Sequence, residues 1–148
     1  MNSSGHPAPP GSELRRHART ATDVPVSFTL GEVVASESAY LNNISDGGAA
    51  FNAMVELVAG TVLMMHFPPG KPVLRAPARV VWCRKMGFHY VVGVQFLNQE
   101  HAFRKQLVDA VRHIELYRAE AALAGRTLDG QQATLEWFNL YAGDFFKP

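Results

Sequence analysis

The sequence predicts a mainly β protein, in which a small six-stranded antiparallel barrel is followed by a long helix and a short helical tail. Three observations predict this class. About six short extended stretches precede residue 98, clusters of turn formers separate them, and a helical periodicity replaces them afterwards. The 148 residues, 47% of them hydrophobic, are enough for one domain with its own core.

The first strands are marked by alternation and by turns. Residues 24–30 (VPVSFTL) alternate apolar and polar side chains, and Pro25 is typical of an edge strand or a strand start. A second extended stretch runs from about 33 to 44, and the turn formers of residues 42–48 end it. The small residues of 49–52 predict a short third stretch.

The later strands are more apolar. Residues 61–67 (TVLMMHF) predict a buried strand that ends at a proline-rich break. Extended structure resumes over 73–83 and, after a turn, over 88–97 (FHYVVGVQFL), which carries the strongest strand signal. Gly93 inside that stretch indicates a bulge or a close approach of another group to the backbone.

Helical periodicity follows the strands. Between 99 and 124 apolar side chains recur with a period of 3.6, with Asn98 expected as the N-cap and Gly125 just past the C-terminus. The apolar stripe consists of Phe103, Leu107, Ala110, Val111, Ile114, Tyr117 and Ala121. A last segment, 133–142, is apolar most of the way round, which predicts that it is buried against the rest of the protein.

These elements predict three segments. Residues 1–13 are rich in Ser, Gly and Pro and are expected to be flexible. Residues 14–125 form one domain that includes the long helix, and residues 126–148 form a short helical tail rich in aromatic side chains. No apolar run approaches the ~20 residues of a membrane span, and the N-terminus lacks the features of a secretory signal. A cytoplasmic protein without membrane insertion is expected.

Composition and spacing exclude most chemistry. The single cysteine, Cys83, rules out an internal disulfide and any site that needs two thiolates. The six histidines lack metal-ligand spacing, Ser45 is not in a nucleophile-elbow sequence, and no Walker or dinucleotide-binding pattern occurs. We therefore expect no enzyme, no metal and no cofactor, and a formal net charge of +1 argues against DNA binding.

Two short polar patterns remain. Residues 15–19 (RRHAR) form a basic cluster, and a planar guanidinium matches both phosphate oxygens and the edge of guanine. Residues 43–48 (NISDGG) place Asn43 and Ser45 two apart, hence on one side of an extended chain. Each pattern also has a plain interpretation, a solvated basic flank in the first case and a turn in the second.

Together, and in this order, the two patterns resemble the PilZ domain family. Residues 15–19 match the R-x-x-x-R pattern of that family, and residues 43–48 match its D/N-x-S-x-x-G pattern. The strand after the arginines and the late stretches 80–82 and 93–96 are also similar. The resemblance covers roughly residues 14–97.

The resemblance implies a six-stranded barrel that binds cyclic di-GMP, a bacterial second messenger. Carried over to this sequence, Arg15 and Arg19 would hold phosphate and guanine from the N-terminal segment, with Arg16 helping. In the family the residue before the first of these arginines influences whether one ligand or a stacked pair binds, and Leu14 here favours one. Ordering of this segment on the ligand would be the switch.

The second pattern would supply the rest of the site. Asn43 would meet a guanine edge as a weaker acceptor than aspartate, Ser45 a guanine or phosphate group, and Gly48 would permit close approach. Trp82 lies on a strand where some family members present an aromatic ring to the ligand, the alternative being a tryptophan of the core.

The predicted function is thus a cyclic di-GMP receptor that relays the signal to an unidentified protein partner, such as motility, pilus, exopolysaccharide or signalling machinery. The tail around Trp137 and Phe138 either contributes to the partner surface or simply packs on the domain. Three alternatives stay open: a ligand-independent interaction module of the same fold, a small barrel that binds single-stranded nucleic acid, and, last, an enzyme.

Overall fold

Seven strands and two helices make up the described part of the chain. The computed structural model describes residues 19–31, 37–69, 74–97 and 101–146, with no account of the side chains of 37–38 and 101–104. The elements are β1 (Thr20–Ala21), β2 (Pro25–Leu30), β3 (Glu37–Ile44), β4 (Gly48–Ala53), β5 (Val62–Phe67), β6 (Leu74–Met86), β7 (His89–Phe96), α1 (His101–Leu123) and α2 (Gly130–Phe145).

The strands β2 to β7 form a closed antiparallel barrel. Their order is β3-β2-β5-β6-β7-β4, and the additional pairing of β3 with β4 closes the ring. β1 lies outside it and, within the described residues, pairs with the end of β3, with Thr20 opposite Ile44. The prediction of a six-stranded barrel followed by a long helix and a helical tail is confirmed.

The core fills the barrel because the strands alternate. Inward side chains of β2 and β4 meet at the centre, where the rings of Phe28 and Phe51 lie 5.5 Å apart and are 1% and 0% exposed. The remaining four strands of the barrel and α1 also contribute fully buried side chains. These include Leu41, Leu63, Phe67, Val80, Val92 and Ile114. This burial is the main source of stability for a domain of this size.

The helix α1 covers one side of the barrel through the predicted stripe. Leu107, Ala110, Val111 and Ile114 are all buried in the core. Gly125 follows the helix with a φ of 88°, a left-handed conformation that favours glycine at this position. Asn98, the expected N-cap, lies outside the described residues.

The helix α2 begins three residues earlier than the periodicity predicts. Asp129 accepts from the amide of Gln132 at 2.7 Å, and the Gln132 side chain accepts from the amide of Asp129 at 3.0 Å. This capping box stabilises a start at Gly130. The tail is buried against the rest of the protein, as predicted, through Ala133 and Trp137. The burial is one-sided, because Leu135 and Leu140 are about 60% exposed.

Strand boundaries differ from the prediction in one informative place. β6 continues to Met86, through the residues read as a turn, because β7 pairs with it as far as His89. The turn is shortened to Gly87 and Phe88, and Gly87 has a φ of 65°. Neither helix of the described chain has the length and apolarity needed to cross a bilayer.

The Phe28–Phe51 contact at the centre of the barrel gives a first prediction. Phe51→Ala is expected to lower the free energy of unfolding by about 3–5 kcal/mol, since it leaves a cavity in a closed core. Urea denaturation measures this. Phe88→Ala removes the same side chain at a position that is 97% exposed and should change stability by less than about 0.5 kcal/mol. Equal losses in the two variants would contradict the assignment of the core.

A second prediction concerns His66 on β5. Its Nε2 lies 3.3 Å from Thr29 Oγ1, and its buried Nδ1 has no hydrogen-bond partner within the described residues. Burial, and secondarily the charge of Arg75 opposite, lowers the pKa of His66 from its usual 6.5.

Because the unfolded chain takes up this proton first, stability should fall as the pH drops from about 6.5 to the lowered folded pKa, and the His66 contribution should be constant below that. The free energy of unfolding of His66→Gln, measured against pH, should lack this component, whereas His89→Gln should keep it. A His66→Gln curve parallel to that of the native protein would refute the prediction.

Candidate functional site

A cleft of about 360 Å³ opens beside the turn between β3 and β4, where β4, β7 and β6 run side by side. It is lined by Arg19, Ser45, Gly47, Gly48, Ala49, Ala50, Val81, Trp82, Gly93, Val94 and Gln95. The cleft therefore brings together residues from both sequence patterns and from the two late strands. Its walls combine one cation, an aromatic ring and exposed backbone.

The indole of Trp82 forms one wall and depends on a glycine. A Cβ added to Gly93 would lie 2.2–2.6 Å from three atoms of that ring, so the ring covers the bare backbone of β7. An extra residue in β6, Val81, shifts the register and brings Trp82 opposite Gly93. Trp82 is 39% exposed, so the alternative that it belongs to the core is wrong.

Arg84 extends the same wall. Its guanidinium carbon lies 5.3 Å from the centre of the Trp82 ring, within the range of a cation–π contact. Trp82 and Arg84 are two apart on one strand and so share a face. This spacing was visible in the sequence, but the barrel was needed to show that this face borders the cleft.

Arg19 enters from the chain end that precedes β1. Its guanidinium donates to Oδ1 of Asn43 at 2.8 Å. This contact joins the two sequence patterns through one hydrogen bond, because β1 pairs with the end of β3, with Ala21 opposite Asn43. Arg15 and Arg16 lie outside the described residues, as does Leu14.

Ser45 and Gly48 shape the turn itself. The amide of Ser45 donates to the carbonyl of Gly48 at 2.8 Å, and the hydroxyl lies 3.5 Å from the same oxygen. Ser45 is only 3% exposed. A Cβ on Gly48 would lie 2.1 Å from the carbonyl oxygen of Val94, so the packing of β4 on β7 already requires glycine there. Both residues thus have a structural role, independent of any ligand.

Gln95 is a further cleft residue that sequence reasoning missed. It pairs with Gly48 across β4 and β7, and its side chain is exposed. A lone glutamine in a strand carries no signal by itself. Only the register placed it beside Gly48.

The segment before β2 also contacts α1. Thr22 donates to Oε2 of Glu115 at 2.5 Å, and Arg112 donates to Oγ1 of Thr20 at 3.3 Å. Asp23 forms an ion pair with Arg118, which also donates to the carbonyl of Leu128 at 2.7 Å. The hydrogen bond and ion pair raise the pKa of Arg118, so this cation stays charged. The residues that follow Arg19 are therefore held on the helix.

Within the described residues, no group of three or more His, Cys, Asp or Glu side chains is placed to hold a metal ion. Cys83 lies partly buried on β6, and its sulfur accepts weakly from the amide of Leu57 at 3.5 Å. What the cleft offers is a cation, an amide, a ring face and open backbone. A guanidinium suits an anionic group, and an aromatic ring face suits a planar one.

Comparison with known proteins agrees with the barrel. The family model "PilZ domain" matches residues 13–113. None of the curated proteins has a sequence that matches this chain.

Solved structures that share the fold include the following three. YcgR from Escherichia coli in complex with c-di-GMP is 19% identical, with a TM-score of 0.57, over 76% of this chain and 50% of that chain. The PilZ domain of YcgR from Escherichia coli with c-di-GMP is 17% identical, with a TM-score of 0.54, over 76% of this chain and 98% of that chain. The Bacillus subtilis inhibitor of motility (MotI/DgrA) is 16% identical, with a TM-score of 0.53, over 69% of this chain and 51% of that chain. The chain thus spans about half the length of YcgR and of the inhibitor.

The contact between Trp82 and Gly93 gives a third prediction. Gly93→Ala should push the indole off β7, because the new methyl would occupy the space of the ring. Quenching of tryptophan fluorescence by iodide should increase, since the displaced Trp82 becomes more accessible while Trp137 stays buried. Gly143→Ala, at a helical position with nothing within 4 Å, is the matched control and should leave quenching unchanged. If Gly93→Ala leaves the quenching unchanged, the position of the Trp82 ring does not depend on this glycine.

Proposed function

The chain belongs to the PilZ family, and we propose that it is a non-catalytic receptor for cyclic di-GMP that relays the presence of the ligand to a protein partner. The observation that carries the proposal is the 2.8 Å hydrogen bond between Arg19 and Asn43 beside a cleft walled by Trp82. It brings a phosphate-binding cation and a guanine-binding amide to one place. The relatives with this fold include two structures described as complexes with c-di-GMP.

Charge complementarity supports the arginines as the phosphate-binding part of the site. The ligand carries two negative phosphates, and Arg19 is followed outward along the chain by Arg16 and Arg15. A bidentate guanidinium bond to phosphate is stronger than the bond of Arg19 to the neutral amide of Asn43. We infer that the phosphate replaces Asn43 as the acceptor and that the N-terminal arginines gather around the ligand.

The guanine bases need faces and edges. Trp82 offers its indole ring, and Arg84, whose guanidinium carbon lies 5.3 Å from the centre of that ring, offers a planar cation. Both kinds of group stack on planar bases. Asn43, once released from Arg19, offers an amide to a guanine edge. Gly48 lets the ligand approach the backbone of the turn, and Ser45 supports that turn.

The relay follows from the attachment of the Arg19 segment to α1. A rearrangement of Arg19 on the ligand acts on residues 20–23, which bind Arg112, Glu115 and Arg118 of the helix. Arg118 in turn holds the carbonyl of Leu128, just before α2. The output of the protein is then a changed surface on the helices rather than a chemical product.

Isothermal titration calorimetry with cyclic di-GMP tests the site. Native protein should bind selectively over cyclic di-AMP and GTP. Arg19→Ala should weaken binding by about tenfold to a hundredfold, the value of one charge-assisted hydrogen bond to phosphate, and Arg15→Ala with Arg19→Ala should abolish it. Arg75→Ala, an exposed arginine that does not line the cleft, is the matched control and should bind as the native protein does.

Two outcomes would contradict the proposal in different ways. Normal binding by the double arginine variant would show that the ligand binds elsewhere. If titration of native protein with cyclic di-GMP gives no heat of binding at several temperatures, cyclic di-GMP is not its ligand. The alternative of a protein-interaction module of the same fold would then remain.

A further inference from the structure

A second concave surface lies on the helices, away from the cleft. It is a groove of about 400 Å³ between α1 and α2, and we refer to it as the helical groove. Residues 113–120 of α1 and 137–145 of α2 form its walls, which corresponds to about two helical turns on each side. The helices run antiparallel here, since His113 contacts Phe145 and Tyr117 contacts Tyr141.

The floor of the groove is apolar and its sides are partly uncovered. Trp137 is buried at the base, at the centre of an aromatic cluster that includes Phe138 and Phe145. Leu116 is 59% exposed and Tyr141 is 48% exposed on the two walls. Exposed apolar side chains facing each other across a groove are typical of surfaces that receive a helix from a partner.

The rim of the groove is acidic. Glu120 lies on α1 towards one end, and Asp144 lies on α2 towards the other. Neither carboxylate has an ion-pair partner within the described residues, whereas Glu136 nearby is bound by Arg126 at 2.7 Å and by Tyr117 at 2.6 Å. Two carboxylates are therefore left for an occupant, and they are spaced along the length of the groove.

We propose that the helical groove binds a basic amphipathic helix of a partner protein, with its apolar face on Trp137 and its lysines or arginines at Glu120 and Asp144. The proposal names the partner surface of the proposed receptor and in that respect rests on the proposed function. A second copy of this chain fits less well, because a two-fold contact through the groove brings like carboxylates together. An anionic membrane is repelled by the same two groups.

The groove shares α1 with the attachment of the Arg19 segment. Arg112, Glu115 and Arg118 bind residues 20–23 on one side of the helix, and Leu116 and Glu120 line the groove on another. The helix α1 therefore contacts residues 20–23, next to Arg19, and also forms one wall of the helical groove.

Binding of two designed peptides tests the proposal. The first is a helical peptide of roughly 14 leucine and lysine residues, with leucines spaced at i, i+3, i+4 and i+7, and the second carries glutamate at every lysine. Fluorescence anisotropy, with and without cyclic di-GMP, should show binding of the lysine peptide by native protein and at least tenfold weaker binding of the glutamate peptide.

Charge reversal at the rim makes the test specific. Glu120→Lys and Asp144→Lys should each weaken the lysine peptide severalfold, and the double variant should prefer the glutamate peptide. Glu56→Lys is the matched control, because it changes the net charge equally at an exposed site outside the groove. Leu116→Asn should also weaken binding, whereas Leu123→Asn, at a residue that is 90% exposed but not in the groove, should not.

The proposal is overturned if native protein ignores the lysine peptide in both nucleotide states, if Glu56→Lys and Glu120→Lys lose binding equally, or if sedimentation shows that the groove joins two copies. Calorimetry with cyclic di-GMP on the same samples reports the proposed function separately. If the peptide does not bind but the nucleotide binds normally, only the proposal for the helical groove is refuted. If the nucleotide does not bind but the peptide binds normally, only the proposed receptor function is refuted.

Discussion

The pairing of β3 with β4 is the constraint on which the rest of the structure depends. It closes the barrel, so that Phe28 and Phe51 meet in a sealed core. Closure also satisfies the backbone hydrogen bonds of both strands, which an open sheet would leave at its edges. The tight turn that makes this pairing possible contains Ser45 and Gly48, so one short segment both completes the barrel and borders the cleft.

Close backbone approaches position the cleft on this barrel. Gly48 lets β4 lie against the carbonyl of Val94, and Gly93 lets the ring of Trp82 lie on β7. In both places a side chain would collide with the protein itself, with the carbonyl of Val94 in one case and with the ring of Trp82 in the other. The two glycines therefore allow the close packing of β4, β7 and the Trp82 ring that forms this side of the cleft.

The helix α1 contacts three parts of the molecule: the barrel, the segment after Arg19 and the helix α2. Its buried stripe packs on the barrel through Leu107, Val111 and Ile114, which makes it a rigid part of the domain. Its polar flank binds the segment after Arg19, and its remaining face borders the helical groove. The segment that follows Arg19 and the helical groove thus lie against one element.

Prediction was most successful where local chemistry and tertiary structure agree. The periodicity of α1 was readable because the helix buries one face, and Gly125 because a left-handed C-terminus favours glycine. In β2, Val26 and Phe28 are buried as the alternation predicts, but Ser27 between them is buried as well. Boundaries failed where pairing or capping decides them: β6 runs on to Met86 because β7 pairs with it, and α2 starts at Gly130 because Asp129 caps it. The apolar pattern of the tail indicated that α2 packs on the domain, but only the structure showed that one face is covered, because the pattern runs most of the way round the helix.

The sequence by itself determined the class of the fold, the order of its elements and the two polar patterns, since these depend on residue type and spacing along the chain. Only the tertiary structure decided that Arg19 bonds to Asn43, that Trp82 faces the cleft rather than the core, and that Gln95 borders the same cleft. It also brought the guanidinium of Arg84 over the ring of Trp82. The physical reason is that the closure of the barrel, its register and its bulge at Val81 bring distant residues together. No local propensity specifies these contacts.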